Sequence, residues 1–281
     1  LDAARKGLEQ QSYEIHEFNL PQEGKIPADC EAIALLGPTQ PLFAGELKMI
    51  QEYLDKDGRA LIAFDIDLKN SKISDDLVKL VESWGIKVMK ALVVDPLSRM
   101  LGVDASVPIL ALFSKTHSIT RDFKENVYFP FTIGLERDPN AKDLVIEELG
   151  KTTPKSWAET GISQLKTGGQ VSLDPGQDKA GPITAAMAVE RKKTRLVVFG
   201  TSQFANNNYS RFGGNMDLFL NAISWILEDE NLISIRGKEE TAGKVELSQN
   251  MGNFVFWLCV IILPVFVATS GIVVWVRRRR L

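Results

Sequence analysis

Along the first 105 residues, short apolar runs alternate with segments whose apolar positions recur at helical spacing. Tyr13 to Phe18 alternates polar and apolar residues and reads as a strand. Glu31 to Leu36 is an apolar run stopped by Gly37-Pro38, the signature of a buried parallel strand. Gly45 to Lys56 then places Leu47, Ile50, Tyr53 and Leu54 on one helical face, with Gly58 just beyond its end. Arg59 to Phe64 is the next strand. Asp75 to Trp84 is the next helix, with Leu77, Leu80, Val81 and Trp84 in register and Gly85 as its stop. Lys87 to Val94, closed by Asp95-Pro96, is a third strand. Strand, helix, strand, helix, strand at this spacing predicts βαβ units, and hence an α/β fold with a doubly wound, mostly parallel sheet.

The second half, residues 106 to 240, is less regular. Val107–Phe113, Val127–Leu135, Ile183–Glu190 and Arg195–Phe199 read as strands, the last ending at Gly200-Thr201-Ser202. Lys166 to Gly181 is rich in Gly, Asp and Gln and reads as an exposed loop. Met216 to Leu227 is an amphipathic helix, and Leu232 to Arg236 a short last strand. No internal repeat is visible.

From Leu247 to Val276 the chain has no charged residue, and Phe254 to Val276 is almost wholly apolar. These 23 residues span about 35 Å as a helix, against about 30 Å of bilayer hydrocarbon. The pattern predicts one transmembrane helix over 254–276, reached from a soluble domain (1–240) through a polar tether (241–253). Trp257 and Trp275 would sit in the two interfacial belts, and Arg277, Arg278, Arg279 and Arg280, in a basic tail (277–281), would mark the cytoplasmic side. Pro264, Ser270 and Gly271 interrupt the run and offer a surface where another membrane helix would pack. On this reading the lipid bilayer is a partner, the location is the inner cell membrane, and the domain lies outside the cytoplasm. A domain made before its only anchor needs an export signal. Since the sequence opens on Leu1, and Asp2 to Gln10 read like the tail of a helix, a preceding segment is expected.

Composition narrows the partners. The chain carries 33 basic and 36 acidic residues; setting aside the four terminal arginines leaves 29 against 36, a balance of −7. That excludes nucleic acid, whose phosphates need a basic face. Cys30 and Cys259 lie too far apart in character, one near a strand and one in the terminal run, to form a disulfide framework. With His16 and His117 as the only histidines, a zinc site lacks ligands. No metal and no cofactor is expected.

Candidate chemistry lies at the carboxyl ends of the predicted strands, where open α/β sheets bind ligands. Three ends are polar: Gly37-Pro38-Thr39, Asp65-Ile66-Asp67 and Gly200-Thr201-Ser202, with Asn206 just beyond. Asp65 and Asp67 suit an acid pair or a cation, but equally suit a turn that caps the next helix. Gly200-Thr-Ser-Gln-Phe204 resembles half a nucleophile elbow, but Phe204 replaces the second glycine and no histidine follows Ser202. Neither a dinucleotide nor a P-loop fingerprint occurs. No complete catalytic constellation is present, and no enzyme is predicted.

Several segments together resemble a known family. Leu35-Leu-Gly-Pro-Thr-Gln-Pro-Leu42, Glu46, Tyr53-Leu54, Gly58 and Ala60-Leu-Ile-Ala-Phe-Asp65 match a strand, G-P-x-x-P-L, a helix ending YL-x-x-G-G and a second strand closing on Asp, with Asp57 in place of the first glycine of the pair. Trp84-Gly-Ile86, Val93-Val-Asp-Pro96, Gly200 to Phe204, Asn215 to Trp225 and Leu232 to Arg236 continue it, so that it covers nearly all 281 residues. The pattern is similar to the auxiliary component of ABC-type transport systems related to the gliding-motility protein GldG. The resemblance implies a non-enzymatic subunit working beside an ABC permease and its ATPase. It also implies a glutamine-amidotransferase-like fold shared with intraflagellar-transport proteins but used for binding, without the G-x-C-x-G elbow. Self- or hetero-oligomers are compatible with that role. A membrane-anchored hydrolase using the strand-end polar groups, and an envelope scaffold, stay open as alternatives.

Overall fold

The structure is a computed structural model; it describes residues 1–38, 40–68, 70, 72–162, 172–228 and 257–279. The chain separates into two compact units, Leu1–Gly237 and Lys238–Leu281.

The first unit is built on a six-stranded sheet. Strands β1 (Ile33–Leu36), β2 (Ala60–Ala63), β3 (Ile86–Val94), β4 (Ile109–Leu110), β5 (Leu112–Phe113), β6 (Val127–Tyr128), β7 (Ile133–Arg137), β8 (Val145–Lys151), β9 (Trp157–Glu159), β10 (Lys179–Ala180), β11 (Thr184–Arg191) and β12 (Thr194–Phe199) follow in chain order. The large sheet runs β1-β2-β12-β11-β8-β5. Only β1, β2 and β12 are parallel; β11, β8 and β5 join antiparallel. A second sheet, β10-β9-β3-β7, is antiparallel throughout, and β4 pairs β6.

This corrects the expectation of a doubly wound, mostly parallel sheet. The third predicted strand does not extend the β1–β2 sheet but builds the second one. Where helical crossovers give way to tight connections, strands return antiparallel: Lys192, with φ +54°, turns β11 directly into β12. Tyr13 to Phe18, predicted as a strand, is irregular, and β8 and β9 form where no strand was predicted. Leu232 to Arg236 lies outside the described residues.

Helices α1 (Asp2–Gln10), α2 (Leu20–Glu23), α3 (Ala44–Asp55), α4 (Asp75–Glu82) and α5 (Asn215–Ile226) cover the large sheet. Strand alternation divides the core. Leu61, Ala63, Val197 and Phe199 pack with Leu218, Phe219 and Ile223 of α5 and Ala4 of α1. Ala60, Ile62, Leu196 and Val198 face the other way, onto Ile50 and Leu54 of α3, Leu77 and Val81 of α4, and Trp84 just beyond it. Each fully buried valine, leucine, isoleucine or phenylalanine among them contributes about 1.5–3 kcal/mol. Ser74 caps α4, its hydroxyl accepting from the Leu77 N–H at 3.4 Å.

In the second unit, a π-helical stretch Trp257–Ile262 precedes α6 (Leu263–Arg279). Among the described residues no helix is long and apolar enough to cross a membrane. That overturns the predicted transmembrane helix over 254–276. The α-helix begins at Leu263, directly after the π-helical stretch, with Pro264 at its second position. Its 17 residues end in arginines, and the apolar stretch from Leu263 to Val276 reaches only about 21 Å. The inner-membrane pass, the bilayer partner and the topology drawn from it lose their basis with this helix.

Candidate functional site

The carboxyl ends of the three parallel strands meet, and their polar residues bond to one another. Phe64 extends β2 by donating its N–H to the Phe199 carbonyl at 3.0 Å. The next residue, half-buried Asp65, accepts the Ser202 N–H on Oδ1 at 3.0 Å. Its Oδ2 accepts the Ser202 hydroxyl at 2.8 Å and the Gln203 side-chain amide at 2.7 Å. Gln203 Oε1 in turn accepts from the Asn206 amide at 2.7 Å. Asn206 also closes its own turn, its Oδ1 accepting the N–H groups of Asn208 and Tyr209.

Gly37 ends β1 against this group. Its N–H donates to the Ala63 carbonyl at 2.8 Å, and its φ is +58°. A Cβ there would stand 2.6 Å from Asp65 Cγ and 2.7 Å from the Ser202 hydroxyl. The glycine therefore satisfies two demands at once: a left-handed backbone and the approach of a carboxyl group. Gly200 is constrained by space alone: a Cβ there would collide with the Ile133 carbonyl oxygen and the Thr132 hydroxyl. Thr201, fully buried, donates to the Pro130 carbonyl at 2.7 Å.

Of the predicted site residues, Gly37, Asp65, Ser202 and Asn206 are thus brought into one network, and Gly200 and Thr201 hold it to the loop before β7. Pro38 is half-buried beside it, and Thr39 lies outside the described residues. Asp67 is not part of it. It is exposed, and its carboxyl group accepts the Asn70 N–H at 3.3 Å and side-chain amide at 2.6 Å across a turn. Asp65 and Asp67 do not form an acid pair.

Two residues central to the arrangement escaped the sequence reading. Gln203 reaches Asp65 because a single 3-10 turn, Gln203–Ala205, follows β12 directly. Asn215, fully buried, donates its amide to the carbonyls of Tyr128, Phe204 and Tyr209 and accepts the Tyr128 N–H at 2.7 Å. It locks the loop after β12 to the start of α5. The signal was available: a polar residue opening an apolar helix right after Gly213-Gly214.

The histidines stand apart. His16 is exposed, and His117 packs at a tilt of 58° against Trp225 with ring centres 4.8 Å apart while its Nδ1 accepts the Ile119 N–H. In the second unit Trp257 and Trp275 are exposed, and the Arg279 guanidinium lies 5.1 Å from the Trp275 ring centre. A Cβ on Gly271 would meet nothing within 4 Å. The Ser270 and Arg277 side chains and all of Arg280 lie outside the described residues. Among those described, no group of histidine, cysteine and acidic residues is arranged to hold a metal ion.

Over residues 1–222 the chain matches the family described as an ABC-type uncharacterized transport system. The protein belongs to this family, as an auxiliary component of ABC-type transport. No curated protein matches it. Six solved chains do. Among them is the mmIFT52 N-terminal domain, at 14% identity, covering 80% of this chain and 89% of that one with a TM-score of 0.57. At that identity the likeness speaks for the fold alone.

Proposed function

We propose that the protein is a non-enzymatic accessory subunit of an ABC-type transport system, working with its permease and ATPase subunits and binding a partner or ligand outside the cytoplasm. Family membership supports the accessory role. The observation that carries the non-enzymatic part is the Asp65–Ser202–Gln203 network. A nucleophilic serine needs a base that takes its proton and a free approach for substrate. Here the Ser202 hydroxyl donates to a carboxyl group that already receives two other donors, and Gly37 lies so close that a Cβ on it would stand 2.7 Å from that hydroxyl. The strand-end groups hold loops to the sheet, which suits a binding module better than a hydrolase. The extracytoplasmic side rests on the resemblance to the GldG-related auxiliary components, which implies a domain outside the cytoplasm.

The test is affinity purification of the tagged full chain from its own cells, with partners identified by mass spectrometry. Permease and ATPase subunits are expected, and Ser202→Ala and Asp67→Ala should leave their recovery and ATPase rate unchanged. A hydrolytic activity of the purified chain that Ser202→Ala abolishes, with the fold intact, would establish the enzyme reading instead.

A further inference from the structure

The β1 margin of the large sheet is open. Strand β1 pairs with β2 on one side and, among the described residues, with no strand on the other. In a parallel ladder alternate residues turn their backbone groups to opposite sides. The N–H groups of Ile33 and Gly37 go to the Arg59 and Ala63 carbonyls on the β2 side. Those of Ala34 and Leu36 therefore point outward. Neither finds a hydrogen-bond partner among the described residues, and Ala34 is exposed.

One segment of the chain runs past this margin. Helix α1 starts beside the loop after β12, where the Ala3 N–H donates to Asn207 Oδ1 at 3.0 Å, and it packs on α5. Beyond its far end the chain turns at Ser12, with φ +64°, into Tyr13–Phe18. The Tyr13 hydroxyl donates to Ser224 Oγ, in the last turn of α5, at 3.4 Å. Glu17 accepts the guanidinium of Arg5, in the first half of α1. The segment thus runs back toward the end where α1 and α5 begin, the carboxyl ends of the parallel strands, in the direction of β1. Its side chains alternate between layers. Tyr13 packs against the α5-side cluster, as Leu36 does, whereas Phe18 packs against the α3-side cluster, as Leu35 does. Glu17 and Phe18, adjacent in sequence, reach opposite layers, which places the backbone between them in the plane of the sheet, where β1 is the last strand. Yet Glu14 to Phe18 donate no backbone hydrogen bond among the described residues. The segment has a strand's alternation, direction and place without its ladder.

We propose that Tyr13–Phe18 is a strap that closes on β1 as a seventh strand, parallel to it, and that the structure records its open position. The occupant of the edge is the protein's own segment, already held beside it at Tyr13, Glu17 and Phe18. Closure gives the outward N–H groups of Ala34 and Leu36 their acceptors and covers an edge that natural sheets seldom leave bare. Open and closed forms are two states of one chain, and only the open one presents β1 to other chains.

The test is residue-resolved amide hydrogen exchange on the full chain. Ala34 and Leu36 should exchange at least about fivefold more slowly than the same amides in an unstructured peptide, at every protein concentration. In the closed strap only alternate residues turn their N–H toward β1, and an edge strand tolerates proline where the N–H faces away. His16→Pro and Glu17→Pro, both at exposed positions, should therefore differ: one removes the slowing and the other keeps it. Glu17→Ala, which loses the Arg5 ion pair but retains the N–H, should keep it too. Exchange of Ala34 and Leu36 at the unstructured-peptide rate in the wild type overturns the proposal, whether or not the variants fold. Equal effects of the two proline variants, at unchanged unfolding midpoints, also overturn it. So does slowing that disappears on dilution, which would assign the edge to a second copy.

Discussion

Gly37 and Asp65 sit at the ends of neighbouring parallel strands, so close that a methyl group on Gly37 would stand 2.6 Å from the Asp65 carboxyl carbon. Gly37→Ala should therefore lose about 2–4 kcal/mol, part from the left-handed backbone and part from displacing Asp65. Gly24 is the control: its φ is +68°, but a Cβ there meets nothing within 4 Å. Gly24→Ala should cost only about 1 kcal/mol. Urea unfolding of both variants measures the difference, and equal losses would mean that the Asp65 contact contributes nothing.

The two acidic residues after β2 should behave differently. Asp65→Ala strands the donors of Ser202 and Gln203 and should cost about 2–3 kcal/mol. Asp67→Ala loosens one exposed turn and should cost less than about 1 kcal/mol. Thermal unfolding ranks them, and a reversed order would contradict the network described here.

Asn215→Asp tests the buried amide. It replaces a donor facing the carbonyls of Tyr128, Phe204 and Tyr209 with an acceptor. We expect a loss of about 3 kcal/mol or more, exceeding that of Asn215→Ala, which merely leaves the carbonyls unpaired. Denaturant midpoints of the pair decide it.

Acid should weaken the β8 edge. Burial opposes ionisation of Glu147, but the Ser114 and Thr116 hydroxyls outweigh it and bring its pKa below the ordinary 4.5. Burial likewise opposes ionisation of Glu148, and Lys151 and Thr184 outweigh it. Groups with depressed folded-state pKa values stabilise fully above 4.5 and lose that contribution as pH falls through the lower, folded values. Stability should thus decline below pH 4.5, and the Ser114→Ala, Thr116→Val double variant should flatten that decline in a pH series of unfolding midpoints.

Much of the parallel half was legible in the sequence, because its signals are local. Ile33–Leu36 and Ala60–Ala63 are short apolar runs bounded by Gly-Pro and Asp, and Leu47, Ile50 and Leu54 repeat with the helical period. What periodicity does not contain is a strand's partner. Lys87 to Val94 reads as a strand in isolation, yet nothing in it says that it pairs with β7 and β9 instead of β2. Strand β8 was missed because Val145-Ile-Glu-Glu-Leu-Gly-Lys151 places two glutamates side by side, breaking the alternation; only Lys151 at the strand's own end and Thr184, Ser114 and Thr116, brought from other elements, make them compatible with a sheet. The candidate site was half legible for a similar reason. Asp65 and Ser202 announce themselves as polar strand ends, whereas Gln203 and Asn215 acquire their roles only when distant carbonyls and carboxyls arrive. In the terminal segment, composition suggested a continuous span, and the restart at Leu263 beside Pro264 shortened it.

The parallel pairing of β2 with β12, which sets Ala60 against Leu196, also governs how the chain reaches its native state. A ribosome delivers β2 long before β12, and the two cannot pair until nearly the whole first unit has emerged. Contacts so distant in sequence form slowly. Until then the uncharged run Ala60-Leu-Ile-Ala-Phe64 keeps one flank bare, in a composition prone to pair with other chains. Synthesis interrupted before Thr194 would release a polypeptide whose central strand is paired on one side only, by β1. The cell's chaperones, and not the finished sheet, must protect that stretch during the interval.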